Sequence, residues 1–124
     1  MAGHLTKAEL RIMRVLWKLG RGSVNDVVAA VGDPPLAYTT VLTMLRILEQ
    51  KGFAKRKLDG RAHVYVPRVD ERDVANTALG DVVKSFFPNR KTELALSLIE
   101  DEQPSKLEIE RLKELIARYE GKPQ

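Results

Sequence analysis

The hydrophobic period of the chain changes at Gly52, and no other sequence feature limits the possible folds as strongly. In residues 38–52, four large apolar side chains recur at helical spacing and fall in one arc. They are Val41, Met44, Leu45 and Leu48. This spacing predicts an amphipathic helix with a single core-facing side, which Gly52 ends as its C′ residue.

Two short runs of a different kind follow this helix, over residues 53–58 and 61–66, with Asp59-Gly60 between them. The runs alternate loosely and contain β-branched and aromatic residues. An Asp-Gly pair in this setting indicates a β-hairpin, and we expect a type I′ turn in which both residues have positive φ. Only Asp59 opposes the hairpin cations, which are Lys55, Arg56, Lys57 and Arg61. A helix followed at once by a basic hairpin predicts a winged helix-turn-helix.

The outward-facing arc of the predicted 38–52 helix is unusual for a solvated surface. It carries Thr39, Leu42, Thr43, Arg46 and Gln50. Short hydroxyl groups let a helix backbone come close to a partner and donate to phosphates, while Arg and Gln can read guanine and adenine edges in the major groove. The arc therefore predicts contact with duplex DNA. The plainer alternative is a surface helix that happens to carry threonines.

The predicted DNA-binding residues divide between the helix and the hairpin. We expect Thr39, Thr43 and Arg46 to point into the major groove, with the start of the helix near phosphates. An apolar contact with a thymine methyl group would account for Leu42. Three of the hairpin cations, Lys55, Lys57 and Arg61, are expected on the adjacent DNA backbone. The full set is Tyr38, Thr39, Thr40, Leu42, Thr43, Arg46, Lys55, Lys57 and Arg61.

Two helices are predicted before this stretch. Thr6 can cap the first, with Glu9 completing a capping box, and the helix is expected to run to about Leu19. Its predicted buried stripe is Leu10, Met13, Leu16 and Trp17. Ser23 can cap a short helix over residues 24–31. Its inward-facing residues are Val24, Val27, Val28 and Val31.

Charge is divided unevenly along the chain. Residues 1–69 hold 12 Lys and Arg against 5 Asp and Glu, a net charge of +7, whereas residues 70–124 hold 9 against 12, a net charge of −3. This division indicates that only the first part meets a polyanion. We therefore expect a winged-helix DNA-binding domain over residues 1–69 and a separate region over residues 70–124.

The region over residues 70–124 is predicted to be helical and too small to close a core alone. Ser105 and Glu108 form a second capping box before its last helix. Its apolar faces are expected to pair with a second copy of the chain, which makes this region a dimerisation segment. The alternative is that its helices fold back on the winged domain of the same chain. The expected dimer residues are Leu79, Val83, Phe86, Phe87, Ile109, Leu112, Ile116 and Tyr119.

The residue types that are missing exclude several classes of protein. Cysteine is absent, so disulfides and thiolate metal sites are excluded. No apolar run approaches the roughly 20 residues of a membrane span, and we expect a cytoplasmic protein without a membrane partner. His4 and His63 lack ligands at metal-site spacing, and no phosphate loop or nucleophile elbow is present. We therefore expect no enzymatic activity, metal or cofactor.

Two combinations of residues occur in matching order along most of the chain. They are Leu5-Thr-Lys-Ala-Glu9 with Met13, Leu16 and Trp17, and Tyr38-Thr-Thr-Val-Leu-Thr43 with Leu48, Lys51-Gly52 and Gly60-Arg61-Ala62. The first resembles the opening helix of the penicillinase-repressor (BlaI/MecI) family, and the second resembles its recognition helix and wing. The resemblance implies a homodimeric transcriptional repressor that binds a palindromic, inverted-repeat operator in double-stranded DNA, with residues 70–124 as the dimerisation region.

Two departures from the family limit what the resemblance implies. In its β-lactam-responsive members, a membrane-bound sensor triggers cleavage between an Asn and a Phe, and Ser97-Leu98 stands at the aligned position. The resemblance therefore leaves open whether a sensor-activated protease is a partner of this chain. The copper-responsive relatives carry a cysteine-rich tail, so the absence of cysteine excludes copper sensing by thiolates.

A second functional class also fits a winged helix, namely a protein-interaction module that does not bind specific DNA sequences. Such a module would show an exposed apolar or acidic face over residues 38–50. Leu42 is the residue on that face which favours this interpretation. The salt dependence of duplex binding distinguishes the two classes.

Overall fold

The computed structural model describes residues 4–121, which form six helices and one two-stranded antiparallel sheet. In chain order the elements are α1 (Lys7–Leu19), α2 (Val24–Ala30), α3 (Tyr38–Lys51), β1 (Ala54–Asp59), β2 (Ala62–Pro67), α4 (Glu71–Phe86), α5 (Lys91–Asp101) and α6 (Lys106–Tyr119). The chain divides into two compact units, the first ending at Leu79 and the second beginning at Gly80. The expected class, mainly α with a small hairpin, is confirmed.

Hydroxyl side chains begin three of the helices, as the sequence predicts. Thr6 accepts from the Glu9 amide at 3.1 Å, and the Glu9 carboxylate accepts from the Thr6 amide at 2.9 Å. The same reciprocal capping box starts α2 and α6. Each box satisfies amide groups that the first helical turn leaves without a backbone partner. Gly52, which ends α3, has the left-handed conformation expected of a helix-ending glycine, with φ 87°.

The core of the first unit lies between α1, α2, α3 and the base of the hairpin. Its largest fully buried side chains are Ile12, Met13, Leu16, Val27, Val41, Leu45, Leu48 and Tyr65. Val28 and Met44 lie at its edge, half-buried and packed against it. Three helices and a hairpin thus share one apolar interior, which fixes the outer face of α3 relative to the hairpin.

The buried stripe of α1 differs from the predicted one. Ile12 is fully buried, while Leu10 and Trp17, which we expected in the core, are only half-buried. The Trp17 ring packs against the core and its indole Nε1 donates to the Val69 carbonyl at 2.9 Å. An indole N–H needs an acceptor when it leaves water, and the edge of the core offers one.

The hairpin turn lies one residue later than predicted. Asp59 pairs with Ala62, so Gly60 and Arg61 form the loop. Gly60 has φ 64°, and Arg61 does not have a positive φ. This is the pattern of a type II′ turn, in which glycine takes the first central position, and the expected type I′ turn is wrong. Glycine satisfies the one strained position, so Asp59 can remain in the strand.

A short backbone bridge fastens the hairpin to the link between α1 and α2. The Gly22 amide donates to the Tyr65 carbonyl at 3.0 Å, and the Tyr65 amide donates to the Gly22 carbonyl at 2.7 Å. At the base of the hairpin, the Arg68 amide donates to the Phe53 carbonyl at 2.9 Å. These bonds hold the hairpin at both its edge and its base.

The second unit has a different burial pattern. No residue of α4, α5 or α6 is buried in the single chain. The large apolar residues exposed on these helices are Leu79, Val82, Phe86, Leu96, Leu98, Leu107, Leu115, Ile116 and Tyr119. Among residues 4–121, no helix is both long enough and apolar enough to cross a membrane.

Candidate nucleic-acid interface

The two faces of α3 are sharply different in burial. Val41, Leu45 and Leu48 are each 0% exposed, so one side of the helix is buried in the core. The residues exposed on the other side are Tyr38, Thr39, Thr40, Thr43, Arg46 and Gln50. The predicted polar arc is therefore present on the surface. Its use in reading DNA bases remains a prediction.

Leu42 does not lie fully on this outward arc, contrary to expectation. It is half-buried and packs against the core. The reason is helical spacing, since Leu42 lies three residues before the fully buried Leu45 and therefore on the same flank of the helix. The apolar residue that favoured a protein-interaction module is thus partly used by the fold. A contact with a thymine methyl group stays a prediction.

The start of α3 lacks a side-chain cap. Ala37 occupies the cap position and accepts from the Val41 amide through its backbone carbonyl, whereas a hydroxyl side chain caps α1, α2 and α6. The first amide groups of α3 have no side-chain acceptor, and Tyr38 beside them is 48% exposed. Uncapped amides and the positive end of the helix dipole favour a phosphate group. This is the position where Tyr38 and Thr40 are predicted to contact the DNA backbone.

The hairpin projects from the first unit, since residues 55–63 are all exposed. Within the described residues, Lys55, Lys57 and Arg61 form no ion pair, so their charges face solvent. Arg56 differs from them, because its Nε lies 3.9 Å from the Glu49 carboxylate on α3. Leu58 is 67% exposed and gives the hairpin an apolar side chain that the sequence analysis did not use.

Side chains of α1 bind both the link that precedes α3 and the end of α3. Before α3, the Arg11 guanidinium donates to the carbonyl of Val31 at 3.0 Å and to that of Pro34. At its end, the Lys51 ammonium donates to the Glu9 carboxylate at 2.7 Å. The candidate recognition helix is therefore positioned by α1 as well as by its own buried face.

The Glu9 carboxylate is the buried charged group of this arrangement. Burial raises the pKa of Glu9, but the hydrogen bond from Lys51, the bonds from Thr6 and the charge of Lys51 together outweigh it. The pKa of Glu9 is therefore below its ordinary value, and the carboxylate is ionised at neutral pH. Sequence reasoning assigned Glu9 only to the capping box and did not connect it to Lys51.

A second ion pair that the sequence analysis missed lies beside the hairpin turn. Arg21 binds the carboxylate of Asp59. Arg21 stands between two glycines, which pattern reasoning treats as a chain break. Asp59 precedes the two turn residues Gly60 and Arg61, and its negative charge is therefore already paired with Arg21. Among residues 4–121, no three His, Cys, Asp or Glu side chains come together as a metal site.

These features define a winged helix-turn-helix protein. A helix with a buried side and a polar side follows a short helix and precedes a basic hairpin, and a backbone bridge completes the wing. The sequence pattern of the family described as "Penicillinase repressor" matches residues 5–118, and the chain belongs to this family.

Individual relatives agree with this assignment. The penicillinase repressor of Bacillus licheniformis is 27% identical over 120 residues, which cover 96% of this chain and 94% of that protein. The methicillin resistance regulatory protein MecI of Staphylococcus aureus is 25% identical over 114 residues, covering 91% of this chain and 93% of that protein. The solution structure of monomeric Bacillus licheniformis BlaI with the blaP half-operator has a TM-score of 0.51 and 32% identity, covering 59% of this chain and 90% of that chain.

Proposed function

We propose that this protein is a sequence-specific transcriptional repressor that binds duplex DNA as a homodimer. One observation carries the proposal: α3 is fully buried on one side and presents hydroxyl, guanidinium and amide groups on the other, beside an exposed basic hairpin. These groups recognise phosphates and base edges. The relatives named repressor, and BlaI bound to a half-operator, support the same function.

The proposed contacts follow from the exposed residues. Thr39, Thr43 and Arg46 read base edges in the major groove, and the uncapped start of α3 binds a phosphate with Tyr38 and Thr40. The hairpin contributes backbone contacts from its three unpaired cations, which are Lys55, Lys57 and Arg61. Arg56 is not in this set, because its guanidinium lies beside the Glu49 carboxylate.

A second copy of the chain is the proposed partner of α4–α6. In the single chain, Leu79 is 52% exposed, Phe86 68%, Ile116 55% and Tyr119 86%. All four belong to the set of apolar residues predicted for the dimer interface. Side chains of this size are seldom left in water in such number, and a stable interface buries about 1,200–2,000 Å² in total. A twofold dimer would place one recognition helix on each half of an inverted repeat, about 34 Å apart or a multiple of that distance.

A sensor-activated protease is a further proposed partner. Ser97 is exposed and Leu98 is 60% exposed, and both lie in α5. Cleavage there would separate α6 from the rest of the chain and so remove part of the proposed dimer surface. The Ser-Leu pair requires a protease with a preference different from Asn-Phe. Incubation with the sensor from the source organism, followed by mass spectrometry, identifies the cleaved bond or finds the chain intact.

Selection of bound duplexes from the source genome tests the DNA-binding proposal. Affinity for the selected duplex and for a scrambled duplex of equal length is then measured over a range of salt concentrations. A repressor should prefer its selected site by about 10³-fold or more, and its affinity should fall steeply with salt. Equal affinity for both duplexes would contradict sequence-specific binding. Sedimentation of the full chain at micromolar concentration tests the dimer, and a monomer there would contradict it.

A further inference from the structure

Arg21 lies in the link between α1 and α2, outside the helix and hairpin that make the proposed DNA contacts. Its guanidinium pairs with the carboxylate of Asp59, the last residue of β1 and the single acidic residue of the hairpin. We propose that Arg21 is a positioning residue of the DNA interface, which cancels the charge of Asp59 so that the hairpin tip can approach phosphates. This inference rests on the proposed DNA-binding function.

The backbone places Arg21 beside the hairpin, so the pair does not depend on a long side chain alone. Gly22, the next residue, forms two backbone hydrogen bonds with Tyr65 of β2, at 3.0 and 2.7 Å. Gly22 is also closely packed, because a Cβ there would lie 3.3 Å from the Cβ of Asp26. The link therefore has little room to move away from the hairpin edge.

The Arg21–Asp59 ion pair lies at the surface, so its contribution to folding stability is small. The side chains of Arg21 and Asp59 are 57% and 59% exposed, and exposed ion pairs contribute little to folding. Its position matters more, because Asp59 is two residues from both Lys57 and Arg61. DNA carries one negative charge per roughly 1.7 Å of its axis, so an unpaired carboxylate at the tip would oppose the contacts of those cations.

A similar pair occurs on the neighbouring element. Glu49 is the single acidic residue of α3, and its carboxylate lies 3.9 Å from Arg56 of β1. Each carboxylate of α3 and the hairpin thus has an arginine beside it, while Lys55 and Lys57 face solvent. The structure assigns two roles to these cations. Arg21 and Arg56 neutralise carboxylates, and Lys55 and Lys57 are free to bind phosphates.

Affinity measurements with the full chain test the role of Arg21, using the selected duplex and four variants. Arg21→Gln should weaken binding by about 3- to 10-fold per chain at low salt, as expected for one unpaired charge several ångströms from a phosphate. The loss should shrink at ~0.3 M salt because exposed charges are screened. Asp59→Asn should bind as tightly as the unaltered protein or more tightly. The double variant should match Asp59→Asn, and Arg21→Lys should retain most of the affinity.

Arg14→Gln is the matched control, since it makes the same charge change at an exposed position of α1. It should show a smaller loss than Arg21→Gln. Thermal unfolding of each variant should be nearly unchanged, because the pair is exposed.

Two results would overturn the inference while leaving the proposed function intact. If Asp59→Asn weakened binding as much as Arg21→Gln, the pair would serve to hold the shape of the hairpin. If Arg21→Gln caused the same loss with and without Asp59→Asn, Arg21 would contact a phosphate directly. Failure of the unaltered protein to bind any duplex would overturn the proposed function, and this inference with it.

Discussion

Replacing Lys51 with methionine tests whether the tie between α3 and α1 stabilises the candidate recognition helix. The Lys51 ammonium lies 2.7 Å from the Glu9 carboxylate, and their side chains are 30% and 9% exposed. Methionine retains much of the aliphatic stem and removes the charge. The carboxylate then loses this cationic partner but keeps the hydrogen bond from the Thr6 amide at 2.9 Å.

Two reference values bracket the expected loss of folding free energy. Exposed ion pairs contribute about 0–1 kcal/mol, whereas removing one partner of a buried pair costs about 3–5 kcal/mol. Lys51 is partly exposed and Thr6 still satisfies the carboxylate, so the loss should lie nearer the lower value, at about 1–2 kcal/mol at neutral pH. Such a loss lowers Tm by roughly 4–8 °C per kcal/mol in a domain of 60–100 residues.

The loss should depend on pH with a defined sign. Burial raises the pKa of Glu9, but its hydrogen bonds and the Lys51 charge lower it below the ordinary value in the folded state. A carboxyl group of this kind stabilises the folded state above about pH 4.3, and the contribution disappears as the pH falls through the folded-state pKa. Without Lys51, its hydrogen bond and its charge no longer lower the pKa of Glu9, so this contribution becomes smaller. The two proteins should therefore differ most at neutral pH and converge in acid.

Urea and thermal unfolding at about pH 7 and about pH 3, followed by circular dichroism, measure both effects. Lys18→Met is the matched control, because Lys18 is an exposed lysine at the end of α1. Its effect should stay within about 0.5 kcal/mol at both pH values. A Lys51→Met difference that was absent at neutral pH, or equal at the two pH values, would refute the reasoning.

The DNA contacts and the dimer yield the remaining predictions. Arg46→Ala should weaken operator binding by about 1–3 kcal/mol and relax base preference at one or two positions per half-site; equal weakening on a scrambled duplex would identify a phosphate contact instead. Replacing Lys55 and Lys57 with glutamine should lower affinity for all duplexes and reduce the salt slope by about one unit per lost phosphate contact, whereas an unchanged slope would mean that these charges only solvate the hairpin. Ile116→Asp should give a folded monomer in sedimentation, because Ile116 is already 55% exposed in the single chain, and a persistent dimer would place the interface elsewhere.

Local signals predicted the elements of the first unit well. The capping box at Thr6, the cap at Ser23 and the end of α3 at Gly52 depend on residues within one helical turn, so a short stretch of sequence contains the whole cause. The same holds for the existence of the hairpin. Its turn type was wrong because Gly60 satisfies a type II′ turn as well as it fits a type I′ turn, and Asp-Gly alone does not decide between them.

Long-range contacts could not be predicted in this way. Lys51 reaches Glu9 across 42 positions, Arg21 reaches Asp59 across 38, and Trp17 reaches Val69 across 52. No periodic pattern links residues so far apart, since their meeting depends on how the helices pack. The buried stripe of α1 turned toward Ile12 for the same reason, because the neighbouring elements decide which apolar flank of a helix is covered.

The first turns of α4 pack against the core of the first unit, and this determines where a fragment that contains the proposed DNA-binding domain should end. A boundary after residue 69 would keep the carbonyl that accepts the Trp17 indole N–H but would remove Val74, which packs against the core. The first compact unit extends to Leu79, inside the continuous helix α4. A fragment ending at residue 79 retains the Val74 contact, while one ending at residue 69 exposes core surface. Weak DNA binding by the shorter fragment would therefore combine lost stability with lost dimerisation. Only the longer fragment separates the two, because its core stays covered while most of the proposed dimer residues are gone.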